Sequence, residues 1–107
     1  MHKDVHIQAR DNKFYLSGEL SFANVMALYE KSFAQFANKP ELHIDFSDLK
    51  SNDSSGLALM IEWLKYADKK QKVIVFHQIP HYLTALARVS GLNGLIQSTA
   101  SLETVTQ

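Results

Sequence analysis

The sequence predicts an α/β fold with a mixed β-sheet, in which an N-terminal hairpin is followed by βαβαβα alternation. Three observations predict it: two strand-like segments joined by Asp11-Asn12, helical apolar spacing after Ser21, and an unbroken apolar run at 73–76. Strand–helix–strand alternation implies parallel pairing with right-handed crossovers. The expected order is β-β-α-β-α-β-α, with a further short strand at 95–96.

The first half of the chain contains the hairpin and the first helix. Val5 to Ala9 alternates apolar and polar residues, and Lys13 to Ser17 favours a strand that ends at Gly18. From Ser21 as N-cap, apolar residues recur at helical spacing until Asn38-Lys39-Pro40 stops the helix. The predicted apolar stripe of this helix consists of Phe22, Val25, Met26, Tyr29, Phe33 and Phe36.

The second half continues the alternation of strands and helices. Residues 42–46 predict a third strand that ends near Ser47, followed by a polar loop to Asp53 and a second helix over 55–69. The run 73–76 predicts a strand covered on both faces. Pro80 suits the first turn of a third helix that runs to Ser90, with Gly91 as its C-cap.

Composition bounds the function. The 107 residues fit one domain, 1–107, and they include no cysteine, which excludes disulfides and thiolate chemistry. Net charge is zero and no basic stripe occurs, so we expect no nucleic-acid partner. No signal peptide and no run of about 18 apolar residues is present, which predicts a cytoplasmic protein with no direct membrane insertion.

The most informative segment is Asp53-Ser54-Ser55-Gly56, where an acidic residue, two hydroxyls and a glycine stand at a helix start. The first N–H groups of a helix lack partners and its dipole is positive there, so Asp53 or Ser54 can cap them. A phosphate on Ser54 would find the same favourable field. Gly56 lets a partner or another backbone approach closely. The simpler interpretation is a generic helix cap.

The second helix carries apolar residues on two faces. Its expected core stripe consists of Leu57, Met60, Ile61, Leu64 and Ala67. Leu59, Trp63 and Tyr66 lie on another face, which indicates either an interface or packing against a neighbouring helix. On the interface hypothesis, Ser54→Asp and Trp63→Ala each weaken partner binding and leave the fold intact.

The sequence gives no support to catalysis, a metal or a cofactor. His77 and His81 are separated by Pro80, and no obvious carboxylate joins them as a ligand. No Gly-x-Ser-x-Gly elbow activates Ser54 or Ser55, and the glycines are dispersed. We therefore expect a binding module and not an enzyme.

Four motifs in this order resemble the STAS family, known from anti-sigma factor antagonists and the tails of sulfate transporters. They are Gly18-Glu19-Leu20, Asp45-Phe46-Ser47-Asp48-Leu49, Asp53-Ser54-Ser55-Gly56-Leu57 and Ser90-Gly91-Leu92. Within the family, the stretch 56–61 followed by Lys69-Lys70-Gln71 is most similar to MlaB-type subunits of the Mla phospholipid-transport ABC system.

This resemblance implies a STAS fold and a protein partner. An MlaB-type subunit would bind the cytoplasmic MlaF-like ATPase, support transporter assembly and activity in maintaining outer-membrane lipid asymmetry, and lie peripheral to the inner membrane through that complex. The Ser54-Ser55 pair is instead that of the antagonists, in which an anti-sigma factor serine kinase phosphorylates the first hydroxyl. The resemblance thus places a partner at Asp53, Ser54, Ser55 and Gly56, with Ser54 as switch candidate and Ser55 second.

Overall fold

The chain alternates strands and helices in the order that the sequence predicts. A computed structural model describes residues 4–51, 53–92 and 100–104. The elements are β1 (Val5–Arg10), β2 (Lys13–Leu20), α1 (Val25–Phe36), β3 (Glu41–Ser51), α2 (Ser55–Lys69), β4 (Val73–Ile79), α3 (His81–Val89) and β5 (Ala100–Thr104). The strand expected at 95–96 falls outside the described residues.

The sheet is mixed, as predicted, with strand order β1-β2-β3-β4-β5. β1 and β2 are antiparallel, and each later neighbour pairs in parallel. Asp11 and Asn12 join the hairpin with φ of 53° and 65°. Two residues with positive φ match the twist of the flanking strands, which explains why short polar residues stand there.

Gly18 does not end β2, as the sequence suggested, because the strand continues to Leu20. Its φ is +91°, and a Cβ built there would lie 2.1 Å from the carbonyl oxygen of Asp4. That oxygen accepts the N–H of Glu19 at 2.8 Å. Glycine therefore lets the chain before β1 close against β2 without interrupting the strand.

The predicted loop after Ser47 is also wrong, because β3 extends to Ser51. The pairing of β2 with β3 shifts by one residue between Tyr15 and Ser17, which marks a β-bulge. Asp45 is buried at the bulge. Its Oδ1 accepts two hydrogen bonds from Ser47, one from the backbone N–H at 2.8 Å and one from the side-chain hydroxyl at 2.5 Å. The bulge lets the strand continue through polar residues while Leu49 returns to the core.

The helices differ from prediction chiefly at the start of α1. α1 begins at Val25, and residues 22–24 form a turn before it. In this turn the Ser21 hydroxyl accepts the Ala23 N–H at 3.2 Å, and Asn24 Oδ1 accepts the Ser21 N–H at 2.9 Å. Two residues of the predicted stripe are exposed, Phe22 in the turn and Met26 in α1. The buried positions of α1 are Leu28, Ser32 and Phe36.

The other two helices agree closely with the sequence. α2 has the predicted bounds, and α3 lies between Pro80 and Ser90. Gly91 adopts φ +73°, and the Leu92 N–H donates to the Ala87 carbonyl at 2.8 Å, so the predicted glycine C-cap is confirmed.

The core lies between the helices and one face of the sheet. Side chains from all three helices are buried against alternate residues of the strands. These strand residues include Phe14, Leu16, Leu42, Ile44, Phe46, Ile74 and Phe76. On one face of β4, Ile74 and Phe76 are buried; on the other, Val73 is 54% exposed, Val75 is half-buried and His77 is buried. The predicted cover on both faces is therefore confirmed only for part of β4. On that second face, His43 Nδ1 and His77 Nε2 share a hydrogen bond of 2.9 Å.

Within the described part of the chain, no helix is long and apolar enough to cross a bilayer.

Substituting Gly18 tests the hairpin closure. We expect Gly18→Ala to lower the free energy of unfolding well beyond the roughly 1–2 kcal/mol that a left-handed residue costs, because the Asp4 carbonyl must also move. Gly91→Ala is the matched control, since φ is also positive but no atom lies within 4 Å of the new Cβ. Urea unfolding measures both variants, and equal losses would contradict the account.

Candidate functional site

The Asp53-Ser54-Ser55-Gly56 turn joins the end of β3 to the start of α2. Because β2, β3 and β4 are parallel, their carboxyl ends meet at one edge of the sheet. The turn at 21–24 and the start of α3 at Pro80 therefore lie at this edge too. In open α/β sheets this edge is the usual place for binding sites.

Asp53 caps α2 through its side chain. Its Oδ1 accepts the backbone N–H of Ser55 at 2.9 Å and also a short hydrogen bond from the Ser55 hydroxyl. A weaker contact comes from the Ser51 hydroxyl at 3.4 Å. The sequence allowed either Asp53 or Ser54 to cap the helix, and the structure shows that the capping side chain is that of Asp53.

These contacts lower the pKa of Asp53. The Ser55 hydroxyl has the largest effect, followed by the Ser55 backbone N–H, while burial opposes them; the Phe22 backbone N–H and the Ser51 hydroxyl add to the lowering. The ionised carboxylate also lies at the positive end of the α2 dipole. Asp53 is thus an anion held by Ser55 and poorly suited to donate a proton.

The two serines occupy opposite environments. Ser55 is fully buried, and its hydroxyl is committed to Asp53. Ser54 is the N-cap residue by position, yet it is exposed and its side chain makes no capping hydrogen bond. The structure therefore leaves Ser54 accessible to a partner or a modifying enzyme, whereas the expectation that Ser55 contacts a partner is wrong.

Gly56 serves packing inside the fold and not the approach of a partner. It is buried, and an added Cβ would lie 3.0 Å and 3.1 Å from the two δ-carbons of Leu83. Leu83 belongs to α3 and is itself buried. The missing side chain therefore lets α3 pack closely against the first turn of α2.

The expected interface on α2 is wrong for two of its three residues. Leu59 and Trp63 are 1% and 0% exposed, because α2 is covered by α1 on this face. The Trp63 Nε1–H donates to the Ser32 hydroxyl of α1 at 3.0 Å. Tyr66 is half-buried and stacks on Phe33 with ring centroids 5.1 Å apart. The alternative of packing against a neighbouring helix is the correct one.

Apolar side chains on neighbouring elements surround Ser54 instead. A groove of about 440 Å³ runs from the turn along α3 and is lined by Asp53, Ser54, Tyr82, Ala85, Leu86 and Val89. Val89 is 81% exposed, and on the α1 side Phe22 is 61% exposed. Burial raises the pKa of Tyr82; the Ser51 hydroxyl opposes this rise and the Asp53 carboxylate adds to it. We call Phe22, Ser54, Leu86 and Val89 the turn surface.

Sequence reasoning missed the contribution of α3 to this surface. Tyr82, Leu86 and Val89 follow one another at spacings of four and three, which a helical periodicity analysis of α3 would have found. Phe22 was recognised as apolar but assigned to the core stripe of α1. Only the turn at 21–24 shows that it stands outside the helix.

Removing the Asp53 cap should have a pH-dependent cost. We expect Asp53→Ala to lower the free energy of unfolding by about 0.5–2 kcal/mol at neutral pH, the usual value of an N-cap. The pKa of Asp53 is lower in the folded than in the unfolded protein. The difference in free energy of unfolding between wild type and Asp53→Ala is therefore full above about pH 4 and disappears as pH falls through the folded pKa. Chemical unfolding across this range measures it, and a difference that persists unchanged in acid would contradict an ionised cap.

Trp63→Ala should affect stability and not binding alone. Removing a buried aromatic side chain costs about 3–5 kcal/mol, so the variant should be markedly destabilised. Ser32→Ala, which leaves the Trp63 N–H without its acceptor, should cost about 1–3 kcal/mol. Thermal unfolding measures both, and near-wild-type stability of Trp63→Ala would show that the indole is not part of the core.

Solved structures of anti-sigma factor antagonists resemble this fold. The antagonist SpoIIAA in its unphosphorylated form is 17% identical with a TM-score of 0.67, covering 97% of this chain and 90% of that one. An antagonist from Mycobacterium paratuberculosis is 20% identical with a TM-score of 0.61, covering 95% and 86%. A STAS domain protein from Planctomyces limnophilus is 16% identical with a TM-score of 0.65, covering 100% and 94%. At such identities these similarities concern the fold alone.

The sequence itself identifies the family. Comparison with curated protein sequences finds no match. A family model described as Mlab, STAS domain, matches residues 4–97 and thus includes every motif considered above. Together with the mixed sheet and the capped turn, this match shows that the chain belongs to the STAS domain family and is most like MlaB.

Proposed function

We propose that this protein is a non-catalytic subunit of an ABC transporter that moves phospholipids to maintain outer-membrane lipid asymmetry. Its partner is the cytoplasmic, MlaF-like ATPase, whose assembly and activity it supports. The match to the MlaB-type family model supports this proposal. The protein would act in the cytoplasm and lie against the inner membrane through the complex.

The observation that carries the proposal is the turn surface. Large apolar side chains are exposed on both sides of Ser54, with Phe22 61% and Val89 81% accessible. Exposed apolar groups beside a groove are typical of protein-binding sites. The polar groups of the turn do not form a catalytic set, because Asp53 is engaged as a cap and Ser55 is buried.

A partner would contact this surface mainly through α3 and the turn after β2. Leu86 and Val89 of α3 line the groove together with Ser54. Burying these apolar side chains supplies about 25 cal/mol per Å². A charge placed among them would lose its hydration without gaining a partner, so it should weaken binding strongly.

Val89→Lys tests this assignment. We expect it to weaken binding to the ATPase subunit of a phospholipid ABC transporter from the same genome at least tenfold, measured by calorimetry on co-expressed, purified proteins. Val73→Lys is the matched control, because Val73 is also exposed but stands at the start of β4, away from the turn. If Val73→Lys weakens binding as much as Val89→Lys, or if neither does, the turn surface is not the docking site.

A second candidate function is that of an antagonist-type phosphoswitch. Ser54 is exposed at a helix N-terminus, and its hydroxyl makes no capping hydrogen bond within the described part of the chain, which favours its modification over that of buried Ser55. A phosphate would place a dianion beside the Asp53 carboxylate and repel an apolar or acidic partner. The modifying partner would be an anti-sigma factor serine kinase.

Incubation with such a kinase and ATP tests this second function. Intact-mass spectrometry should detect one added phosphate on the wild type and on Ser55→Ala, and none on Ser54→Ala. Persistence of the phosphate in Ser54→Ala, or its absence from the wild type, would contradict the phosphoswitch.

A further inference from the structure

A second groove lies between the C-terminal halves of α1 and α2 and combines aromatic walls with a lysine rim. Its volume is about 510 Å³, and its lining residues are Tyr29, Phe33, Ala37, Lys65, Tyr66, Lys69 and Lys70. Phe33 packs edge-on against Tyr29, with centroids 4.7 Å apart, and stacks on Tyr66 at 5.1 Å. We call this the lysine groove; its size is within the usual range of ligand sites.

The charge along the lysine groove is uneven. None of the lining residues is acidic, and Lys69 and Lys70 are exposed at one end without an ion pair among the described residues. At the other end Lys65 pairs with Glu62 at 3.3 Å. Burial raises the pKa of Tyr29 and the Glu62 carboxylate adds to the rise, which places Glu62 at the Tyr29 end.

Lys72, which is close in sequence to Lys69 and Lys70, has a structural role. The Lys72 ammonium donates to the carbonyl oxygens of Phe36, Ala37 and Lys39 at 3.0, 3.2 and 2.7 Å, which closes the C-terminus of α1. Lys69 and Lys70 have no such bonds among the described residues. Their charges are available to a ligand.

We propose that the lysine groove binds an acidic peptide segment of a partner protein. An apolar side chain of the segment packs on the exposed edges of Tyr29, Phe33 and Tyr66, and its carboxylates pair with Lys69 and Lys70. Lys65 lies eleven positions after Ser54, which is about 16 Å along the helix axis at 1.5 Å per residue. The lysine groove is therefore a second docking site that does not depend on the turn surface.

The observations favour a peptide over other anionic ligands. A nucleic-acid strand needs free ring faces and a broad positive surface, whereas Phe33 and Tyr66 stack on each other and the net charge is zero. An anionic bilayer is flat and uniformly charged, so it cannot enter a concave groove and is repelled at the Glu62 end. A peptide can match both the concave shape and the change of charge along it.

Fluorescence anisotropy with a labelled synthetic peptide, carrying a central Leu-Trp pair between runs of glutamate, tests the proposal. We expect saturable binding to the wild type, at least tenfold weaker for the double variant Lys69→Gln/Lys70→Gln and for a peptide with glutamine in place of glutamate. The control Lys31→Gln/Lys50→Gln makes the same charge change at two exposed lysines elsewhere. Circular dichroism verifies that each variant is folded.

Several outcomes would overturn the proposal. These are absence of saturable binding, equal binding of the glutamine peptide, and equal weakening in the control variant. Phosphatidylglycerol vesicles provide a further arm: vesicle binding that depends on Lys69 and Lys70, without peptide binding, would make the groove a lipid contact instead. Because Ser54, Leu86 and Val89 are unchanged in these variants, the result is independent of ATPase binding at the turn surface.

Discussion

The hydrogen bonds from Ser55 to the Asp53 carboxylate are the contacts on which the candidate site depends. They satisfy the first N–H of α2, bury the Ser55 hydroxyl and fix the chain direction as it leaves β3. The side chain of Ser54 is left pointing to solvent as a result. The same carboxylate also lies 3.4 Å from the Ser51 hydroxyl, so it links the end of β3 to the start of α2.

The position of α2 decides where a partner can bind. The helix packs on the sheet, on α1 through Trp63 and Ser32, and on α3 through Gly56 and Leu83. Most of its apolar residues are therefore buried in the core, and Ile61 and Tyr66 are half-buried. What remains for recognition is its N-terminal turn, the exposed residues of its two helical neighbours, and the groove at its C-terminal half.

Much of the fold could be predicted from the sequence, because hydrophobic periodicity and turn-forming residues depend only on neighbouring positions in the chain. Helical spacing gave the bounds of α2, and Asp11-Asn12 and Gly91 marked the hairpin and the end of α3. The length of β3 could not be predicted, since the Asp45 bulge that carries it through polar residues depends on pairing with β2. Gly18 looked like a strand end for a similar reason: only the approach of Asp4 reveals its role.

The position of the candidate site could be predicted from the sequence, but the residues exposed around it could not. The turn and its accessible Ser54 followed from residue types at a helix start, while the burial of Trp63 depends on α1 covering α2. A helical wheel shows two apolar faces but not how many neighbours will cover them. The exposure of Val89 and Phe22 likewise results from how α3 and the turn after β2 are placed around Asp53.

Hydrogen–deuterium exchange on the protein, alone and mixed with the proposed ATPase partner, is the sharpest test of the turn surface as a docking site. We expect slower exchange on binding at 53–54, along α3 and in the turn at 21–24, with no change in β4 around Val73. Protection confined to the β4 face, with 53–54 and α3 unaffected, would contradict the claim that the capped turn is the docking surface.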